Sequence, residues 1–201
     1  NALTELNCSQ NKITALDLSG NSNLRIIESS DNQLSALDIS SNLLLEELKS
    51  YTNNLTYLNV IQNQNLRILG CGNNQLTFVI VDANPLLEEL YVDINQLTHL
   101  FVNNNPKLRR LYCFSNQIES LDLRNNPMLT DLWLWSNNLT NLDLRNGNNE
   151  TITELLASDN PIECINVDDE TADHPGWILD EGVILSNDCE SIDNDPPVVS
   201  N

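Results

Sequence analysis

Leucines recur along the chain with a strict 21-residue period. Within one copy, apolar or small residues stand two apart, and an asparagine follows three residues later. Apolar residues two apart indicate a short strand with one face inward, and the asparagine fits a buried turn. An eighth copy, displaced by two residues, starts at Ile152. The seven regular copies start at Leu3, Leu24, Leu45, Leu66, Leu87, Leu108 and Leu129.

A second apolar alternation is nested in each copy and ends in its own asparagine. The side-chain amides of both asparagine columns can satisfy backbone groups that a turn leaves unpaired. Two strand-like segments of about 10 and 11 residues leave little room for a helix, so we expect a solenoid of parallel strands about 4.8 Å apart. The first column comprises Asn11, Asn32, Asn53, Asn74, Asn95, Asn116, Asn137 and Asn160, and the second Asn21, Asn42, Asn63, Asn84, Asn105 and Asn126.

This pattern resembles the leucine-rich repeat family. The copy with Leu108, Leu111, Cys113, Asn116 and Ile118 carries the motif, and residues 1–167 resemble the bacterial subclass of nested 10- and 11-residue units called IRREKO repeats. The resemblance implies a mainly β fold: a right-handed solenoid of about eight 21-residue coils with a disulfide-stapled C-terminal cap. It also implies a curved, non-enzymatic recognition scaffold, as in secreted or cell-surface proteins of bacteria. It names no ligand.

The cysteines fall into two groups. Cys8, Cys71 and Cys113 share one inward column but lie three and two coils apart, roughly 14 and 10 Å, which exceeds the ~7 Å limit for a disulfide. We expect them to fill the core. Cys164 and Cys189 lie where the repeat pattern fades, and we predict that they form a disulfide in a cap like that of similar bacterial repeat proteins. That bond implies an oxidising, extracytoplasmic setting. The residues expected to cover the last coil are Trp177, Ile178, Val183, Ile184 and Leu185.

Three segments are therefore expected. Residues 1–163 form the solenoid, residues 164–190 the cap, and residues 191–201 an acidic, proline-bearing linker to a missing downstream domain. Within that linker, the sequence DNDPPVV resembles the lead-in to tandem immunoglobulin-like modules.

Composition and charge remove several function classes. Leucine occurs 35 times and asparagine 33 times, and 29 acidic residues outnumber 9 basic ones for a net charge of −20. Residues 150–201 hold 14 acidic residues and no basic one. Because phosphate binding needs a basic footprint, nucleic acid is excluded as a partner, and an anionic membrane surface is disfavoured. No apolar run approaches the roughly 18 residues of a membrane span.

One outward surface has the composition of a binding site. The third, fifth and seventh positions of each copy face away from the core on the concave side, and six of the chain's ten aromatic residues occupy these 24 positions. Large rigid rings beside charged groups are typical of recognition hot spots. Gly70 and Gly72 predict a notch between two of the tyrosines. The predicted ligand-binding residues are Tyr51, Glu89, Tyr91, Asp93, Arg110, Tyr112, Phe114, Asp131, Trp133 and Trp135.

We call the six rings of that set the aromatic patch. Its leading interpretation is protein binding or adhesion by an extracellular module. The first alternative is a polysaccharide site in which the rings stack on sugars, and the second is a structural spacer whose rings only stabilise neighbouring coils. Neither an enzyme nor a cofactor is expected, because His99 and His174 are far apart and lack a catalytic motif.

Two further clusters leave alternatives open. Outward apolar residues on the other strand predict either weak self-association or another partner contact, or local packing under irregular turns. The acidic run in the cap suggests calcium, but it lacks a DxDxDG loop, so a solvated acidic surface is the default and no metal is predicted. The apolar cluster is Tyr57, Ile61, Phe78, Ile80 and Phe101, and the acidic run is Asp168, Asp169, Glu170 and Asp173.

Overall fold

The chain stacks its coils into a β-solenoid, seen in a computed structural model that describes residues 2–190. A nine-stranded parallel sheet runs along one side in the order β1-β2-β3-β4-β5-β6-β8-β10-β12. Adjacent regular strands pair with a 21-residue offset, so that Leu90 lies opposite Leu111. Its strands are β1 (Glu5–Asn7), β2 (Ile26–Glu28), β3 (Glu47–Lys49), β4 (Ile68–Gly70), β5 (Glu89–Tyr91), β6 (Arg110–Tyr112), β8 (Asp131–Trp133), β10 (Glu154–Leu156) and β12 (Trp177–Ile178).

The second apolar alternation forms strands only near the C-terminal end, although we expected a strand in every coil. A four-stranded parallel sheet in the order β13-β11-β9-β7 covers coils six to nine. In earlier coils this side is joined through side chains: Asn63 Nδ2 donates to the carbonyls of Ile39 and Asn42 in the preceding coil. On this side, side-chain amides therefore link coils that no strand pairing joins. The four strands are β7 (Ser120–Asp122), β9 (Asn141–Asp143), β11 (Cys164–Asn166) and β13 (Ile184–Ser186), and one 3-10 helix spans Asn149–Thr151.

The cap adds a ninth coil to the eight predicted from the period. Strand β12 pairs with β10, and the Trp177 indole donates to the carbonyl of Ile152 at 3.1 Å. Trp177 packs against the core, as do Val183 and Leu185. Ile178 and Ile184 do not cover the last coil as predicted: both are exposed, since the alternation of a strand turns them to the outer face.

A disulfide closes the cap, as predicted. It joins Cys164 in β11 to Cys189, 25 residues later, with Cα atoms 5.8 Å apart. The three column cysteines are free thiols. Burial raises the pKa of Cys71 and of Cys113 to about 12, which suits their place in the core. The linker predicted for residues 191–201 lies outside the described residues.

One continuous core of inward leucines, isoleucines and valines runs through the coils. The first asparagine column borders it and ties each coil to the preceding one. Asn95 illustrates the pattern: its Oδ1 accepts the N–H of Leu76, and its Nδ2 donates to the carbonyls of Cys71, Val92 and Asp93. These contacts confirm that the amide groups satisfy backbone groups at the turn.

The residue before each first-column asparagine adopts a left-handed conformation. The φ angles at these positions lie between 49° and 59°, a region that favours glycine and asparagine. The turn thus needs an unusual backbone geometry in each coil, and the asparagine that follows secures it. These positions are Gln10, Asp31, Thr52, Asn73, Ile94, Ser115, Ser136 and Asp159. Within residues 2–190, no helix has the length and hydrophobicity to cross a membrane.

Candidate functional site

The nine-stranded sheet brings the aromatic patch together on its outer surface. Tyr112 and Trp133 sit on adjacent strands with their rings stacked, the centroids 4.1 Å apart and the planes within 4°. Tyr91 meets the Tyr112 ring edge-on at 4.9 Å. These three rings form one row along the sheet, because the 21-residue register places them side by side.

A second row lies two positions further along each coil. Phe114 and Trp135 stack at 4.4 Å, and Phe114 also approaches the Trp133 ring at 6.2 Å. Tyr51 joins the surface at its other end through Tyr91, with centroids 6.4 Å apart. All six rings are half-buried. Each ring is thus held by a neighbour while part of its surface faces solvent.

Charged groups hold the rings in place from the side. The Arg110 guanidinium lies between two carboxylates, donating to Glu89 at 2.8 Å and to Asp131 at 3.4 Å. The Tyr91 hydroxyl donates to the other oxygen of Glu89 at 2.7 Å. Arg110 and Glu89 therefore form an ion pair, so the Arg110 guanidinium is not an open anchor for a ligand.

Glu154 belongs with this set, although the sequence prediction did not include it. The Trp133 indole donates to its carboxylate at 2.9 Å. Glu154 occupies the first outward position of the eighth copy, directly across from Asp131 in the sheet. The repeat frame alone could have indicated this contact, since neighbouring outward columns meet on the sheet surface.

The predicted notch at the two glycines is already occupied. A Cβ atom on Gly70 would collide with the Tyr51 ring, and one on Gly72 would fall within 2.9 Å of the Asp93 carboxylate. The missing side chains therefore make room for groups of the same chain and leave no ligand pocket. Burial raises the pKa of Tyr51 well above its usual value.

Among the described residues, Asp93 is the one charged member of the predicted ligand-binding set without a salt bridge, since Glu89 and Asp131 both pair with Arg110. Its carboxylate is half-buried above Gly72, and no other described residue donates a hydrogen bond to it. Burial raises the pKa of this carboxyl group. A partly desolvated acceptor beside aromatic rings is suited to an arginine or lysine side chain of a partner.

An aspartate–arginine ladder on the other side of the solenoid was not predicted. It lies beside a cavity of about 680 Å³ near the disulfide. Arg124 pairs with Asp122 at 2.7 Å, and Arg145 pairs with Asp143 at 2.6 Å. The signal was present as the repeated sequence LDLRN. Arg124 also lies 3.5 Å from Asp143 of the next coil, so the ladder links the two coils and each guanidinium is already paired with a carboxylate.

The acidic run in the cap binds its own backbone. Asp168 accepts the N–H of Gly147 at 3.1 Å, and Glu170 accepts the N–H of Asn187 at 3.2 Å. Within residues 2–190, no three acidic, histidine or cysteine side chains are placed to hold a metal ion. The two histidines stay apart, with His174 stacked on Trp177 at 3.8 Å.

Comparison with known proteins places the fold. No protein-family model matches the chain. No curated protein matches it either. Among solved structures, the functional domain of InlJ from Listeria monocytogenes, which includes a cysteine ladder, is similar with 30% identity and a TM-score of 0.75, over 91% of this chain and 48% of that one.

Two further structures are more distant in sequence. A leucine-rich repeat protein of Leptospira interrogans has 22% identity and a TM-score of 0.73, over 93% of this chain and 57% of that one. The leucine-rich repeat ectodomain of the Arabidopsis thaliana receptor kinase GASSHO1/SCHENGEN3 has 22% identity and a TM-score of 0.70, over 89% of this chain and 23% of that one. The chain therefore has the leucine-rich repeat fold, and it spans about half the length of the first two structures.

Proposed function

We propose that the chain is a non-enzymatic, extracellular recognition module that binds a protein partner through the aromatic patch. The observation that carries this proposal is the pair of ring rows on the nine-stranded sheet, stacked at 4.1 and 4.4 Å and partly open to solvent. Rings that are already ordered lose little entropy on binding, so their buried area converts efficiently into affinity. We place the patch on the concave side of the solenoid.

The negative charge of this surface favours a partner with basic residues. Seven acidic and two basic residues occupy the 24 outward positions of this surface. Both basic residues are neutralised: Arg110 is paired as described, and Lys49 contacts Glu28 and Glu47. Asp93 is left to receive a cation. We therefore expect a basic segment of a protein, with an arginine or lysine directed at Asp93.

One comparison and one structural feature support an extracellular binding role. The receptor ectodomain of the same fold was solved in complex with CASPARIAN STRIP INTEGRITY FACTOR 2, so this fold does bind partners outside the cell. The Cys164–Cys189 disulfide fits an oxidising compartment. The polysaccharide alternative has less support, because Tyr112 and Trp133 each stack one face on the other, which closes that face to a sugar.

Selection from a random peptide library tests the proposal. The wild-type chain is used as bait, and the Trp133→Ala variant is used for counter-selection. We expect peptides rich in arginine and lysine that lose at least about 30-fold in affinity for Trp133→Ala, the effect of a hot-spot residue. Asp93→Asn should weaken the same peptides, and Met128→Ala, an exposed site away from the patch, should not.

Tryptophan fluorescence distinguishes the alternatives. Titration with a panel of soluble polysaccharides should leave the emission of Trp133 and Trp135 unchanged. Saturable quenching that disappears in the Trp133→Ala/Trp135→Ala variant would instead favour the polysaccharide site. If neither peptides nor polysaccharides bind, and the alanine variants change only the melting temperature, the rings are a stabilising ladder and the proposal is wrong.

A further inference from the structure

A second apolar surface lies on the other side of coils three to five. We call it the second-side patch, and it is separate from the aromatic patch. Each of its residues is at least 41% exposed, and Phe101 reaches 64%. The Tyr57 and Phe78 rings lie 5.7 Å apart, so the surface is continuous between coils three and four. Its members are Tyr57, Ile61, Phe78, Ile80 and Phe101.

Comparison between the coils indicates that the fold does not need an apolar residue at two of these positions, Ile80 and Phe101. At the position of Ile80 and Phe101, the other coils that share the frame carry aspartate or asparagine, whose side chain accepts the N–H two residues later. Asp38 binds the N–H of Ser40 at 2.9 Å in this way. Ile80 and Phe101 give up that bond, and their exposed side chains contribute little to the core. The equivalent residues are Asp17, Asp38, Asn59, Asp122 and Asp143, all of which make the bond.

The patch is also poor in charge. In a chain of net charge −20, the nine outward positions of coils three to five on this side contain a single acidic residue, Asp82, and no arginine or lysine. Two copies can therefore face each other here without bringing rows of carboxylates together. Elsewhere the acidic surface of the chain opposes self-association.

We propose that the second-side patch is the contact between two copies of this chain in a two-fold dimer. A two-fold axis lets the same residues serve both partners, so the patch supplies its own complement. Three half-exposed aromatic rings and two isoleucines offer on the order of 500 Å². A stable interface uses about 800 Å² from each partner, so this patch with its polar rim supports a weak, reversible dimer.

Sedimentation velocity from about 1 µM to 1 mM tests the dimer. The wild-type chain should change from monomer to dimer over this range. The Phe101→Asp variant restores the aspartate of the other coils and with it a bond to the N–H of Asn103. It should therefore stay folded, with a melting temperature equal to or above that of the wild type, and associate at least about tenfold more weakly.

Two control variants locate the contact. Leu43→Asp changes an equally exposed apolar residue outside the patch and should leave the dimer intact. Trp133→Ala should also leave it intact, because the dimer is independent of the aromatic patch. A wild-type chain that remains monomeric at 1 mM overturns the inference. So does a Phe101→Asp variant that dimerises as tightly as the wild type.

Discussion

The two asparagine columns should differ in how much stability each residue provides. Asn116 Nδ2 donates to the carbonyls of Val92, Cys113 and Phe114, and its Oδ1 accepts the N–H of Leu97 at 2.9 Å. The three carbonyls each keep another donor when Asn116 is changed to alanine. The Leu97 N–H is buried and keeps none among the described residues.

The magnitude follows from these partners. An orphaned buried N–H costs about 1–3 kcal/mol, and each lost hydrogen bond about 1 kcal/mol, less where the carbonyl retains a donor. We therefore expect Asn116→Ala to lower the free energy of unfolding by about 3–4 kcal/mol. Asn105 in the second column donates to Val81 and Asn84, and its Oδ1 has no partner among the described residues. Asn105→Ala should cost only about 1–2 kcal/mol.

Urea unfolding followed by far-ultraviolet circular dichroism measures both variants, with the exposed Asn104→Ala as the control. Native-state hydrogen exchange adds a local readout, because a repeat array can open in parts. The Leu97 amide should lose protection in Asn116→Ala and keep it in Asn105→Ala. Equal costs for the two buried asparagines would refute the assignment of the Oδ1 contact as the source of the difference.

Three more changes have expected outcomes. Gly176→Ala places a Cβ against the Thr153 carbonyl oxygen, so the amides of the cap should lose protection from hydrogen exchange. Gly20→Ala, whose new Cβ has nothing within 4 Å, should leave this protection unchanged. Ile94 is a β-branched residue in the left-handed region, so Ile94→Asn should remove backbone strain. The free energy of unfolding, measured in urea, should rise by about 1 kcal/mol. Asp93→Asn removes a carboxyl group whose pKa is raised by burial, so ionisation of this group destabilises the fold as the pH rises above its unfolded pKa of about 3.9. Thermal melts should therefore show the variant to be more stable than wild type at pH 7 and similar near pH 3; equal melting at both would contradict this.

The 21-residue period predicted the features of the fold that depend on inward-facing residues. Leu90 and Leu111 lie opposite each other in the core because their spacing equals one coil, and the same arithmetic excluded disulfides within the cysteine column. The cap disulfide followed from the position of Cys164 and Cys189 outside that column and from the family resemblance. The ninth coil was missed because the cap lacks the leucine frame and uses Trp177 in its place.

The side-chain arrangement on the surface could not be predicted in this way. The frame states which coil and column a residue occupies, but the direction of a long side chain depends on its neighbours in the next coil. Tyr51 illustrates this: the absence of a side chain at Gly70 suggested an empty notch, and the same absence let the tyrosine ring fold over the glycine. Arg110 likewise turned to two carboxylates that stand one coil to either side.

A repeat protein nevertheless offers an internal reference that other folds lack. Each coil solves the same structural problem, so a residue that departs from its column without gaining a structural role needs another explanation. Ile80 and Phe101 depart in this sense, because the aspartates in their column make a bond that they cannot make. The rings of the aromatic patch are a weaker case, because their stacking itself stabilises the contact between coils. The case for a contact surface at the second-side patch therefore rests on the loss of a known bond, and the case for binding at the aromatic patch depends more heavily on the measured effect of Trp133→Ala.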